Sequence, residues 1–136
     1  MIFALDTNIV SYFIQEDKSI ISRFGAEIRK GNSIVIPPIV YYEIRRGFKH
    51  KVSPKKEVAF MLLCSKFPIG KMTLPIWEKA AEIYGLRRKL GKPVGDSDIL
   101  IAAFAVVNSY TLVTANIKDF KDISTMKLVD WMQPQP

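Results

Sequence analysis

Within its first six residues the chain sets an apolar run, Ile2–Leu5, directly against a carboxylate, Asp6. A four-residue run without alternation reads as a strand covered on both faces, and such strands belong to parallel sheets. Similar short runs recur at residues 33–36, 111–114 and Lys127–Val129, and a further short strand is expected at 72–74. Helical segments lie between them. Thr7–Ile14 forms a short helix. Residues 18–30 set Ile20, Ile21, Phe24 and Ile28 at helical spacing and stop at Gly31-Asn32. Pro37-Pro38 opens a helix that continues through Glu43 to about residue 49, and Pro54 opens another over 55–66, because proline suits the first helical turn. Pro75 begins a long helix that ends at Gly91, and Gly95 precedes one over 97–107. Strands alternating with helices predict an α/β fold: a three-layer α/β/α sandwich around a mostly parallel central sheet.

With 136 residues the chain has the size of one domain, 1–136. Its hydrophobic share, 49%, is enough to build a core. The apolar runs fall far short of the roughly 20 residues that span a bilayer, so no membrane association is expected. The amino-terminal residues lack a basic region ahead of an apolar stretch, and no secretory leader is expected, which makes the expected location cytoplasmic. One cysteine, Cys64, excludes an internal disulfide, and Cys64 with the single His50 cannot build a Cys/His zinc site. Catalysis by a Ser-His-Asp or Cys-His arrangement would rest on His50 alone.

The net charge is +7, and the excess lies ahead of Asp96. Arg45, Arg46, Lys49, Lys51, Lys55 and Lys56 form the densest patch, uninterrupted up to Lys56 by any acid. Arg87, Arg88, Lys89 and Lys92 form a second. Such clusters suit a polyanion, of which nucleic acid is the commonest, although a basic helix face is often merely solvated.

In open parallel sheets the site lies beyond the carboxyl ends of the strands. Asp6 follows the first strand directly. Glu43 stands two turns into the helix after the second. Asp96 and Asp98 occupy the start of the helix ahead of the next central strand, and Thr114, Asn116 and Asp119 follow that strand. Carboxylates gathered at one edge repel and raise one another's pKa, so their convergence implies a positive occupant. Oxygen ligands suit Mg²⁺ or Mn²⁺, and metal-assisted phosphodiester hydrolysis needs no histidine. Each residue also has a structural reading. Asp6 and Asp96 are good helix caps, Asp96 especially. Glu43 can pair with Arg45 or Arg46. Asp98 suits a helix amino terminus, and Asn116 and Asp119 suit a turn. Trp77 and Trp131 read as packing residues.

Four segments, in order, resemble the motifs of PIN domains. Leu5-Asp6-Thr7-Asn8 resembles the first and Tyr42-Glu43-Ile44-Arg45-Arg46-Gly47 the second. The segment Pro93-Val94-Gly95-Asp96-Ser97-Asp98-Ile99-Leu100-Ile101-Ala102-Ala103 resembles the third. Thr111-Leu112-Val113-Thr114-Ala115-Asn116, followed by Asp119-Phe120, resembles the fourth. The ending Leu128-Val129-Asp130-Trp131 is similar to that of bacterial VapC toxins.

The resemblance implies a PIN-like fold and a Mg²⁺- or Mn²⁺-dependent endoribonuclease, the toxin of a type II toxin–antitoxin pair. Its expected substrate is RNA, in particular a tRNA anticodon loop, with initiator tRNA one possibility. The products would carry 5′-phosphate and 3′-hydroxyl ends. Carried over, Asp6, Glu43 and Asp98 are the metal-holding catalytic carboxylates. Thr7, Asn8, Asp96, Thr114, Asn116 and Asp119 are supporting groups; Asn116 stands where many members have Asp. Arg45, Arg46, Lys49, Lys51, Arg87 and Arg88 would grip RNA phosphates, and Tyr12, Phe13 or Phe48 could stack an unpaired base. The implied partners are a VapB-type antitoxin, seated near Ile9, Tyr12, Phe13, Ile39 and Tyr42, a second copy of the chain in a homodimer, and operator DNA reached only through the antitoxin. Two competing readings are a non-catalytic RNA-binding PIN-like domain and a haloacid-dehalogenase-type phosphatase. The latter requires an Asp where this chain has Asn8. A dinucleotide enzyme is disfavoured by the absence of Gly-x-Gly-x-x-Gly after the first strand.

Overall fold

The computed structural model describes residues 1–123 and 126–133. The elements run β1 (Ile2–Leu5), α1 (Thr7–Ile14), α2 (Lys18–Arg29), β2 (Ser33–Val35), α3 (Pro38–His50), α4 (Pro54–Lys66), α5 (Leu74–Lys89), α6 (Asp96–Asn108), β3 (Thr111–Val113), α7 (Ile117–Phe120) and β4 (Lys127–Val129). Among the described residues the strands form one parallel sheet in the order β2-β1-β3-β4. Phe3 pairs with Ile34 on one side and with Thr111 on the other. From β1 the chain moves outward to β2, then returns past β1 to β3 and on to β4. Right-handed crossovers put the helices of these opposite excursions on opposite faces, which gives the three layers. The reversal falls between β1 and β3, and the crevice at their carboxyl ends is where such sheets hold ligands.

The core explains the uniform strands. Phe3, Ala4, Leu5, Ile34, Leu112 and Val113 are all buried. Helix α6 buries Ile99 and the run Ile101, Ala102, Ala103, Phe104 and Ala105. A helix that is apolar around its circumference belongs inside, and α6 is covered by α3, α5, α7 and the interior strand β3. It delivers the carboxylate of its first turn from a well-anchored base. Trp131 closes the end of the chain, edge-on to Phe3 and Phe24 with the Arg23 guanidinium over its ring.

Several expectations need correction. Residues 72–74 form no strand. Leu74 already belongs to α5, and Ile36 bridges in parallel to Ile69 instead. Gly95, not Asp96, holds the cap position of α6, and Asp96 is the first helical residue. The four-residue α7 was not anticipated. Trp77 is about half exposed rather than packed away, at 48%.

Candidate active site

Asp6 lies between β1 and α1 and caps the helix, where its Oδ1 accepts the Thr7 backbone N–H at 2.8 Å. Its Oδ2 accepts the Thr114 hydroxyl at 2.7 Å and the Asn8 side-chain amide at 3.3 Å. Thr114 is fully buried at the end of β3, so this bond crosses the β1–β3 crevice. The Thr114 hydroxyl also accepts the Asn116 backbone N–H at 3.0 Å, and Asn8 Oδ1 accepts the Ala115 backbone N–H at 3.3 Å. The two strand ends are thus laced together around one carboxylate. Capping and site membership are not alternatives for Asp6, because each oxygen has its own role.

Glu43 reaches the same place from α3. The Thr7 hydroxyl donates to its Oε1 at 2.7 Å, and Arg46 donates to its Oε2 at 3.3 Å. Asp98 stands in the first turn of α6. Burial, then the charges of Asp6, Asp119 and Glu43, push its carboxyl up to about 6 from 3.8. Asp6 is also raised, by burial foremost, against the lowering effect of its Thr114 and Thr7 hydrogen bonds, with Glu43 and Asp119 adding repulsion. Glu43 and Asp119 therefore both act on Asp6 and on Asp98, and Asp6 acts on Asp98.

The supporting residues divide. Thr7, Asn8 and Thr114 bond directly to the cluster. Asn116 is exposed and contributes its backbone N–H to Thr114. Asp119, brought round by α7, acts on both Asp6 and Asp98 and is the fourth carboxylate of the group. Asp96 is exposed and lines a shallow cleft with Trp77 and Tyr84 of α5, away from the cluster.

The basic residues also divide. Arg87, expected to grip RNA, is instead buried and donates to the Asp122 carbonyl at 2.9 Å, so it ties α5 to the segment after α7. Arg88, exposed, lies over the Tyr84 ring. Arg45 is paired with Glu57 at 2.7 Å. Arg46, Lys49 and Lys51 are exposed. Of the aromatic residues considered for stacking, Phe48 is buried and Phe13 packs on Phe24, which leaves Tyr12 partly open. Ile9 is wholly buried and presents nothing to a partner, whereas Tyr42 is exposed.

The donor set is all oxygen: carboxylates, hydroxyls and one amide. Such a set suits a hard divalent cation. Among the described residues no three acidic, histidine or cysteine side chains converge tightly enough to hold an ion as they stand. The chemistry of the donors fits Mg²⁺ or Mn²⁺, and their closure on the ion requires side-chain movement.

The comparisons with known proteins agree with this geometry. The PIN domain family model matches residues 3–125. Ribonuclease VapC2 of Rickettsia felis is 34% identical, over 96% of this chain and 98% of its own. Ribonuclease VapC1 of Haemophilus influenzae is 26% identical, over 96% and 98%. In the crystal structure of VapBC2 from Rickettsia felis bound to a DNA fragment from their promoter, one chain matches with a TM-score of 0.89 at 30% identity, covering 96% of this chain and 99% of that one. A chain of VapBC-1 from nontypeable Haemophilus influenzae matches with a TM-score of 0.86 at 26% identity, over 98% and 100%. Fold, motif order and full-length similarity coincide, and the chain belongs to the PIN-domain family, among the VapC toxins.

Proposed function

We propose that this protein is a divalent-metal-dependent endoribonuclease toxin that cleaves RNA, with a tRNA anticodon loop as the target and arrest of translation as the outcome. The observation that carries the reading is the meeting of Asp6 and Glu43 through Thr7 at the β1–β3 crevice, with Asp98 and Asp119 close enough to act on Asp6 or be acted on by it. Support for RNA as substrate comes from the exposed Arg46, Lys49 and Lys51, and from the name ribonuclease carried by the relatives.

Asp6, Glu43 and Asp98 would hold Mg²⁺ or Mn²⁺, with Asp119 beside them. Bound there, such an ion lowers the pKa of water and neutralises charge developing on a phosphodiester. The chain's own groups do the positioning. The Thr114 hydroxyl and Thr7 N–H fix the two Asp6 oxygens, and the Thr7 hydroxyl turns Glu43 toward the crevice. Asn8 braces Asp6 against the residue after Thr114. Basic side chains around α3 hold the RNA backbone so that a water lies in line with the leaving 3′ oxygen.

A VapB-type antitoxin is the proposed silencer, since the similar structures are VapBC assemblies. The toxin is proposed to pair with a second copy, to reach operator DNA through the antitoxin, and to act in the cytoplasm. Among the described residues no helix is long and apolar enough to cross a membrane.

The test is sequencing of RNA ends after brief induction, comparing the parent chain with Asp6→Ala. New 5′-phosphate ends confined to a tRNA loop in the parent, and absent from D6A, are expected. The same ends in both strains would remove Asp6 from the reaction and overturn the reading.

A further inference from the structure

A cleft of about 400 Å³ leads away from the carboxylate cluster between α1 and α3, with Thr7 and Glu43 at one end. Ser11, Lys51, Ser53 and Lys56 line its walls. A second cleft continues from it, sharing Ile14, Gln15 and Lys56, and ends at Lys55 and Glu16. The two form one furrow that begins at the candidate active site and is predominantly basic beyond Glu43.

Beyond Glu43 its lining carries three lysines, Lys51, Lys55 and Lys56, against one acid, Glu16. Glu57, in the first turn of α4, is taken by Arg45 at 2.7 Å. Among the described residues neither Lys51 nor Lys56 is in an ion pair, and both are exposed. Ser53 makes no side-chain cap for α4, so that helix's amino terminus opens at the same place without a local acceptor from Ser53. Two free ammonium groups, an uncommitted hydroxyl and a positive helix end suit phosphate oxygens.

Building on the ribonuclease reading, we infer that this furrow is the track for the single-stranded RNA on one side of the cut, with Lys51 and Lys56 each holding a backbone phosphate. The strand leaves the carboxylates past Thr7 and Ser11 and is gripped without reading of its bases. The carboxyl-terminal end of α5, with Lys89 in its last turn and Lys92 beyond it, plays no such part.

The experiment is fluorescence anisotropy with a labelled single-stranded RNA of about 12 nucleotides, in EDTA so that binding is read without cleavage. It compares the parent chain, K51E/K56E, the neutral K51A/K56A, and a control of equal charge change, K89E/K92E. The expected result is a tenfold or greater loss for K51E/K56E at about 0.1 M salt and less than about threefold for the control. For K51A/K56A the slope of log affinity against log salt should fall by about 1.4, the value for two phosphates on a single strand. K51A/K56A also serves if charge reversal prevents folding. Equal losses in both charge-reversed variants would reduce the effect to net charge and overturn the inference. Unchanged RNA binding would do the same and give the furrow to a protein partner. A parent chain that binds RNA through these lysines yet cuts nothing when Mn²⁺ is added would leave the furrow standing and sink the proposed function alone.

Discussion

Arg46 sits one helical turn beyond Glu43 and places its guanidinium 3.3 Å from the Glu43 carboxylate, stacked over Tyr42. A candidate metal ligand therefore already holds a cation supplied by its own helix. An incoming ion must compete with it. Arg46 is exposed, so the pair is worth only about 0.2–1 kcal/mol. Replacing Arg46 by alanine should tighten Mn²⁺ binding by about two- to fivefold, read by titration calorimetry. Arg45→Ala, which frees Glu57 instead, should leave the affinity close to that of the parent.

The second prediction concerns Asp98 in metal-free protein. Its carboxyl titrates at about 6 when folded and at 3.8 when free. Between those values the folded chain holds a proton that the unfolded chain has released. The stability contributed by Asp98 is therefore full below 3.8 and is lost as pH rises through about 6. Asp98→Asn removes this penalty. Because Asp98 is partly open to solvent, the gain should be about 1 kcal/mol, or about 4 °C in Tm, in EDTA near neutral pH. It should vanish at about pH 4. Thermal unfolding across that range checks the sign, and a D98N chain no more stable than the parent at neutral pH would deny that burial and the neighbouring carboxylates raise Asp98.

Much of this was legible from the residues. The apolar run that ends on Asp6, the stops at Gly31 and Gly91, and the proline starts at Pro38 and Pro54 all express local rules. Gly31 and Gly91 adopt positive φ, 84° and 69°, directly behind α2 and α5, a conformation that glycine adopts without strain. What stayed hidden depends on tertiary packing. No local rule separates Arg87 from Arg88, yet one is buried against the Asp122 carbonyl and the other lies over Tyr84. Asp119 looks too far along the chain from Asn116 until the single turn of α7, too short to leave a periodicity, brings it back. Asp96 and Asp98 are both acids at one helix start, and only the position of α5 decides that Asp96 faces away.

The third prediction follows from the buried Thr114 hydroxyl, which donates to Asp6 Oδ2 at 2.7 Å and joins the ends of β1 and β3. Thr114→Val keeps the shape and deletes the donor. Asp6, already raised by burial, loses its largest lowering contact. The variant should be less stable by about 1–3 kcal/mol near neutral pH, with a smaller loss once Asp6 is protonated. Thr114→Ser should recover most of the loss, because the hydroxyl returns while a methyl group does not. If serine and valine are equally destabilising, packing rather than the hydrogen bond is responsible.

The last prediction tests how rigidly Asp98 is carried. Gly70 donates its N–H to the Ile36 carbonyl at 2.9 Å, which lays the segment before α5 against the end of the sheet. A Cβ at Gly70 would lie 2.4 Å from Cζ of Phe104, a buried side chain of α6. The Phe104 ring is buried and packed against Tyr110, so it cannot simply swing aside into solvent, and Gly70→Ala should cost about 1–3 kcal/mol by overpacking. Phe104 lies less than two turns from Asp98 on the same helix. Relief of the clash by a shift of α6 would displace that carboxylate, so G70A should weaken Mn²⁺ binding as well as stability. Phe104→Leu alone leaves a small void, but combined with G70A it makes room for the new methyl group. The double variant should therefore be more stable than the sum of the single effects predicts and should regain Mn²⁺ affinity. Additive losses, or a G70A chain with unchanged Mn²⁺ affinity, would mean that the amino terminus of α6 is insulated from the packing of its middle.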